Sequence, residues 1–195
     1  WTLNFVDVKG AWSEQAAVLN KAQKHVFAGI RTLRERLPFP LLGLDSDSGA
    51  EFINHQLYRY CLTEKITFTR GRAGKKNDNP FVEEKNDSVV RRWVGYGRYD
   101  TQAQVDLLNE FYGRLRLYTN FFLPVHRLKK KVRIGSKIRK IHDRATTPYR
   151  RILRARDVSE EVKNRLRTQY RTLNLVTLKE ELETILKRLK PTPVG

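Results

Sequence analysis

The sequence predicts an α/β fold, and three observations carry that reading. Leu3 and Phe5 alternate with polar neighbours ahead of Lys9-Gly10, the pattern of a strand running into a hairpin turn. Two short β-rich runs, "LLGL" at 41–44 and "ITFT" at 66–69, enclose a stretch with helical spacing. Strand, helix, strand in so short a length implies a parallel pair joined by a right-handed crossover. Elsewhere apolar residues recur at three- and four-residue steps, the spacing of amphipathic helices.

The elements follow in order. Trp12 to Val18 resumes an extended pattern and completes the hairpin. Val26, Ile30, Leu33 and Leu37 mark a helix over about 21–37, stopped by Pro38, which has no N–H to continue it. Phe52, Ile53, Leu57 and Tyr60 or Cys61 give the helix within 50–65. "RGRAGKKNDN", 70–79, has two glycines, four basic residues and no apolar anchor beyond Ala73, so a mobile loop is expected. Asn79 then offers a capping side chain and Pro80 suits the first helical position, opening a helix to about Val94 that buries Val82, Val89 and Trp93. Thr101 and Gln104 have capping-box spacing at the head of a long helix carrying Val105, Leu108, Phe111, Tyr112 and Leu115.

Composition changes after Pro124. From Arg127 to Arg156 there are 13 Lys or Arg against one acid, Asp143, with little helical period, which predicts an extended basic arm, solvated or laid on a phosphate backbone. Two helices are expected beyond it, Ser159 to Leu173 and Thr177 to Leu189, the second opened by a Thr177 and Glu180 capping box. They either close the domain or serve assembly. The chain thus divides into a core over 1–122 and a basic, mainly helical extension over 123–195.

Lys and Arg outnumber Asp and Glu by 39 to 21, and a net charge of +18 points to a polyanionic partner, nucleic acid first. An anionic membrane surface or ribosomal RNA fits the charge alone equally well. With 39% hydrophobic residues the chain supports a core, so it is no disordered tail. A single cysteine, Cys61, excludes an internal disulfide, and His25, His55, His126 and His142 lack zinc-ligand spacing, which fits a reducing cytosolic compartment. No apolar run approaches the roughly 20 residues that span a bilayer, so a soluble protein is expected.

Side chains at the carboxyl ends of parallel strands project into a crevice where chemistry gathers. In "LLGLDSDSGAEF" Asp45 and Asp47 stand at such an end, and the acid best placed to join them is Glu83 or Glu84 in "NPFVEEKN". Plainer roles exist for each: Asp45 as a solvated acid, Asp47 as a cap on the helix at Ala50, Glu83 or Glu84 as a first-turn helical acid.

The spacing of 35 residues between Asp47 and Glu83, together with "TLNFVDVKGAWSE", "LDSDSGAEFIN", "ITFTRGRAGKKNDNPFVEEKN", "VGYGRYDT", "YTNFFLPVHRL" and "TPYRRIL", resembles the integrase-like (acidic-triad) transposases of bacterial insertion sequences, in the retroviral integrase superfamily. The resemblance covers most of the chain. It implies an RNase H-like fold, a mixed sheet flanked by helices, with Asp47 and Glu83 as the second and third acids of the triad. The cofactor it implies is Mg2+ or Mn2+, which takes hard oxygen ligands. The implied activity is cleavage of a phosphodiester at transposon ends followed by strand transfer into target DNA, in a homo-oligomeric synaptic complex of a cytoplasmic, nucleoid-associated bacterial protein.

In that family the first acid lies on a strand upstream of the hairpin, so the sequence is expected to be a fragment lacking it and inactive alone. Asp7 aligns with a hairpin position that is not catalytic there. Ser48 stands where the family usually has asparagine. For DNA contact the expected residues are Arg70, Arg72, Lys75 and Lys76 in the loop, Lys85 and Asn86 after Glu83, and Lys129, Lys130, Lys131, Arg150, Arg151 and Arg154 in the arm. A non-enzymatic DNA-binding remnant of a transposase is the alternative function.

Overall fold

The computed structural model describes residues 1–46, 55–71 and 86–192. Strand β1 (Thr2–Val6) pairs antiparallel with β2 (Ser13–Ala17), in a register running from Thr2 opposite Ala17 to Val6 opposite Ser13. In the turn, the Asp7 carboxylate accepts the backbone N–H groups of Lys9 and Gly10. A Cβ at Gly10 would lie 2.7 Å from Ile152 Cδ1 and 2.8 Å from Asp7 Oδ2, so a larger residue there would push both side chains aside.

Helix α1 (Gln23–Arg36) starts without a side-chain cap, buries Val26, Ile30 and Leu33 on one face as their spacing predicts, and stops ahead of Pro38. Strands β3 (Gly43–Ser46) and β4 (Thr67–Arg70) flank helix α2 (His55–Thr63) and pair in parallel, as the strand, helix, strand pattern predicts. A π-helical turn, Asn86–Arg91, runs into the short helix α3 (Arg92–Val94), where Gly95 at φ 73° ends it. Val89 is buried and Trp93 partly so, as expected; the Asn79-Pro80 start and Val82 lie outside the described residues.

Helix α4 (Gln102–Phe122) opens with the expected capping box, Thr101 accepting from the Gln104 N–H and the Gln104 side chain accepting from the Thr101 N–H. Beyond it come β5 (Leu128–Ile134), β6 (Lys137–His142), α5 (Pro148–Arg154), α6 (Glu160–Thr172) and α7 (Leu175–Arg188). Two expectations fail here. The segment from 127 to 156 is an antiparallel hairpin followed by a helix, where an extended arm was expected. Thr177 lies inside α7; the cap is Asn174, whose side chain accepts from the N–H groups of both Val176 and Thr177 and so starts the helix earlier.

The β1–β2 hairpin lies between two helical layers. Leu3, Ala16 and Val18 pack with Val26, Ile30 and Leu33 of α1 and Leu57 and Cys61 of α2. Ala17, on the opposite face, packs with Val105, Leu108, Phe111, Tyr112 and Leu115 of α4, which α7 covers through Leu182 and Ile185. In a third cluster Trp12 meets Phe121, Tyr149, Ile152 and Leu166, so segments 1–122 and 123–195 share cores.

All five residues of β2 are buried, and its edge away from β1 is finished by side chains. Asn120 accepts the Ser13 N–H at 2.9 Å and donates to the Ser13 carbonyl at 2.7 Å. Asn109 repeats this at Ala17 with bonds of 2.8 and 3.0 Å, and between them Arg36 donates to the Gln15 carbonyl at 3.1 Å. Open strand edges recruit further strands, and this edge is closed by amides that imitate a strand's own donor and acceptor. The described strands hydrogen-bond in three separate pairs, two antiparallel and one parallel, where a mixed sheet was expected.

Glu14, fully buried in β2, takes an ion pair from Arg116 at 2.6 Å and a hydrogen bond from the Trp12 indole at 2.8 Å. Burial pushes its carboxyl above the ordinary range, with Arg116 and Trp12 opposing that shift.

Asn120→Ala strands the backbone polar groups of Ser13, which is 2% exposed. The expected loss is about 1–3 kcal/mol for each group left unsatisfied, read as a lower urea midpoint at unchanged slope.

Candidate functional site

Strands β3 and β4 align Gly43 with Thr67 through Ser46 with Arg70, and the Gly71 N–H extends the ladder to the Ser46 carbonyl at 2.8 Å. Their carboxyl ends therefore emerge side by side. Ser46 is buried, and its hydroxyl has no hydrogen-bond partner among the described residues. Asp45 is exposed and accepts the Thr69 hydroxyl at 2.6 Å, in keeping with a solvated acid at a strand end. Arg70 ends β4 with its side chain exposed.

Asp47 follows Ser46 directly in sequence. Asp47, Arg72, Lys75, Lys76, Glu83 and Lys85 lie outside the described residues, and of Asn86 only the backbone, at the start of the π-helical turn, is described. Among the described residues no three His, Cys, Asp or Glu side chains converge as a metal site. Asp7 is occupied in its turn and stands as a structural acid.

The basic segment is better defined. In the hairpin Lys131 faces Lys140, Val132 faces Arg139 and Ile134 faces Lys137 across a two-residue Gly135-Ser136 loop in which Gly135 has φ 60°. Lys129, Lys130 and Lys131 are all exposed. Sequence reading passed over this hairpin because charge dominates the segment, although Gly-Ser between Ile134 and Lys137 is a hairpin signal.

Asp143 organises the hairpin's base. It takes two bonds from Arg151, 2.6 and 3.2 Å, and one from the Arg127 N–H at 2.7 Å. The Arg127 guanidinium donates in turn to the carbonyls of Val8 and Lys9, tying the base to the β1–β2 turn. Arg151 also donates to the Val125 carbonyl at 2.8 Å and is 13% exposed, so this arginine, expected on a phosphate, is held inside the protein. Arg150 and Arg154 on the same short helix are exposed. Tyr149, expected among the surface arginines, is 7% exposed and stacks on Tyr170 at 4.8 Å between ring centres.

No protein-family model matches the chain. It is 35% identical over 150 residues to an uncharacterized protein, y4rM, of Sinorhizobium fredii (strain NBRC 101917 / NGR234). That alignment takes in 77% of this chain and 43% of the relative, so the chain spans less than half the length of the protein it matches. Among solved structures it is similar to the catalytic core domain of BIV integrase, with a TM-score of 0.50, 20% identity, and coverage of 87% of this chain and 89% of that one. The likeness is one of fold: a mixed α/β architecture resembling the RNase H-like integrase core.

The Arg151 hydrogen bond, then the Arg127 contacts, hold the Asp143 carboxyl down at about 2, against desolvation that raises it. A depressed carboxylate contributes stability above its unfolded pKa, roughly 3.9, and loses it as pH falls towards the folded value. Between pH 5 and 2, Asp143→Asn should therefore lose less stability than the parent chain, measured by denaturant titration at each pH.

Proposed function

We propose that this chain is the core and basic extension of an integrase-like DNA transposase, which cleaves phosphodiesters at transposon ends and joins the freed ends to target DNA. One observation carries the proposal. In a fold resembling the integrase core, Asp47 directly follows the carboxyl end of β3 in the parallel pair, the place where such sheets gather their chemistry. Glu83, 36 positions later, is the third acid of the triad that the resemblance implies.

Carboxylates are the hard oxygen donors that Mg2+ or Mn2+ takes, and such an ion supplies charge neutralisation and an activated attacking oxygen at a phosphodiester. Asp47 and Glu83 would hold it. The exposed Arg70, with Arg72, Lys75 and Lys76 in the basic stretch that follows in sequence, would draw the DNA backbone towards those acids. The DNA partners are the element's ends and its target, brought together in a homo-oligomeric complex. A second reading, a DNA-binding protein without catalysis, is favoured by the cationic hairpin, whose charges are assembled independently of the acids.

In the full-length protein that carries this chain, Asp47→Asn and Glu83→Gln should each abolish Mg2+-dependent 3′-end cleavage of a labelled transposon end. DNA affinity should change less than about threefold. Unimpaired cleavage by either variant would remove these acids from the site, and DNA binding without cleavage by the parent protein would favour the second reading.

A further inference from the structure

The β5–β6 hairpin is exposed along nearly its whole length, with Val132 and Ile141 only partly covered. Its pairing sorts its side chains onto two faces. Lys131, Arg133, Ile138 and Lys140 share one; Lys130, Val132, Ile134, Lys137, Arg139 and Ile141 share the other. The first face presents three cations together. The second interleaves three cations with three β-branched apolar residues, of which Ile134 is 59% exposed.

Such a hairpin is unfavourable by itself. Two strands alone are marginally stable in water, and Lys131 directly opposite Lys140 sets like charges at the closest cross-strand position. What holds it is its base: the Arg127, Asp143 and Arg151 network, and a further bridge between Val125 and Thr146. A register shift between Leu128 and Lys130 places an extra residue near the base, a feature that strengthens local twist. A rigidly rooted, twisted, cationic ribbon with an exposed apolar stripe is matched to a polyanion that has a wide groove.

We propose that this hairpin enters the major groove of duplex DNA as a two-stranded ribbon. Val132, Ile134 and Ile141 then turn towards base edges, and Lys130, Lys137 and Arg139, which share their face, reach the phosphates that border the groove. The proposal rests on the reading of the chain as a DNA-acting protein and gives that reading a mode of contact. The B-form major groove, about 12 Å wide, admits a two-stranded ribbon, and thymine methyls there offer apolar contact. The A-form major groove of RNA is too narrow for one, which sets the choice of duplex. Seven residues of β5 extend about 23 Å at roughly 3.3 Å each, enough to follow the groove over several base pairs.

The test measures affinity of the 195-residue chain for matched DNA and RNA duplexes over a salt series, with two variants. Lys130→Gln/Lys137→Gln/Arg139→Gln removes the three charges of the face that meets the DNA; the slope of log affinity against log salt should fall by about 3, near 0.9 per contact. Gly135→Val keeps every charge but places a β-branched residue at φ 60°, where no side chain crowds it, so it opposes the turn alone. It should weaken DNA binding at least tenfold with unchanged thermal unfolding of the core, and bound DNA should protect 129–140 from trypsin in the parent chain only. DNA binding that survives Gly135→Val undiminished, or duplex RNA bound as tightly as DNA, overturns the ribbon while leaving DNA binding intact. Failure of the parent chain to bind either duplex overturns the DNA reading itself.

Discussion

A carboxylate with no access to water, Glu14, decides how the hairpin, α1 and α4 meet. A buried charge is tolerated only with a well-placed partner, and removing one member of such a pair costs about 3–5 kcal/mol. Arg116 reaches Glu14 from α4 and, with its other nitrogen, the Arg36 carbonyl at the end of α1, 2.8 Å away. One guanidinium thereby fixes three elements against each other. Asn109 and Asn120, seven residues before and four after Arg116 on the helix, fall on the same side and meet the β2 edge. Six residues separate the end of α1 from β3, so the parallel pair and its carboxyl ends inherit their place from this contact.

The acidic and basic parts of the candidate site are carried by different structural devices. Asp47 directly follows β3 in sequence, whereas the hairpin cations project from a root of side-chain bonds. Arg127 ties the hairpin to the core, since the carbonyls it grips belong to Val8 and Lys9 in the β1–β2 turn. A cation presented by β5 or β6 is thus referenced to the core and does not sweep freely, which is what separates a positioned contact from a merely attractive tail.

Features written in neighbouring residues were legible in the sequence. The Thr101 and Gln104 box, the Pro38 stop and the crossover between "LLGL" and "ITFT" each depend on a few adjacent side chains. Asn174 was missed because Thr177 and Glu180 offer the same spacing three residues later, and only the Asn174 side chain makes the bonds. Thr147-Pro148 is a good helix start that went unread beside so many arginines. Arg151 and Arg150 look alike in sequence; one turns inward to Asp143 and the other to solvent, a distinction that needs the fold. The Glu14, Asn109 and Asn120 contacts span 92–107 residues and leave no local trace. Asp47 and Glu83 came from spacing and resemblance, and what the fold adds is the strand end that precedes the first of them.

The amides that close β2 come late. Ser13 and Asn120 are 107 residues apart. A ribosome adding about 5–20 residues per second leaves β2 with an open edge for roughly 5–20 s before its partner helix exists. During that interval the nascent hairpin must avoid pairing with any other strand on its own. The burial of Glu14 works against premature closure too, since its cation is also supplied by α4. The hairpin therefore becomes native only once a helix about a hundred residues downstream has been made.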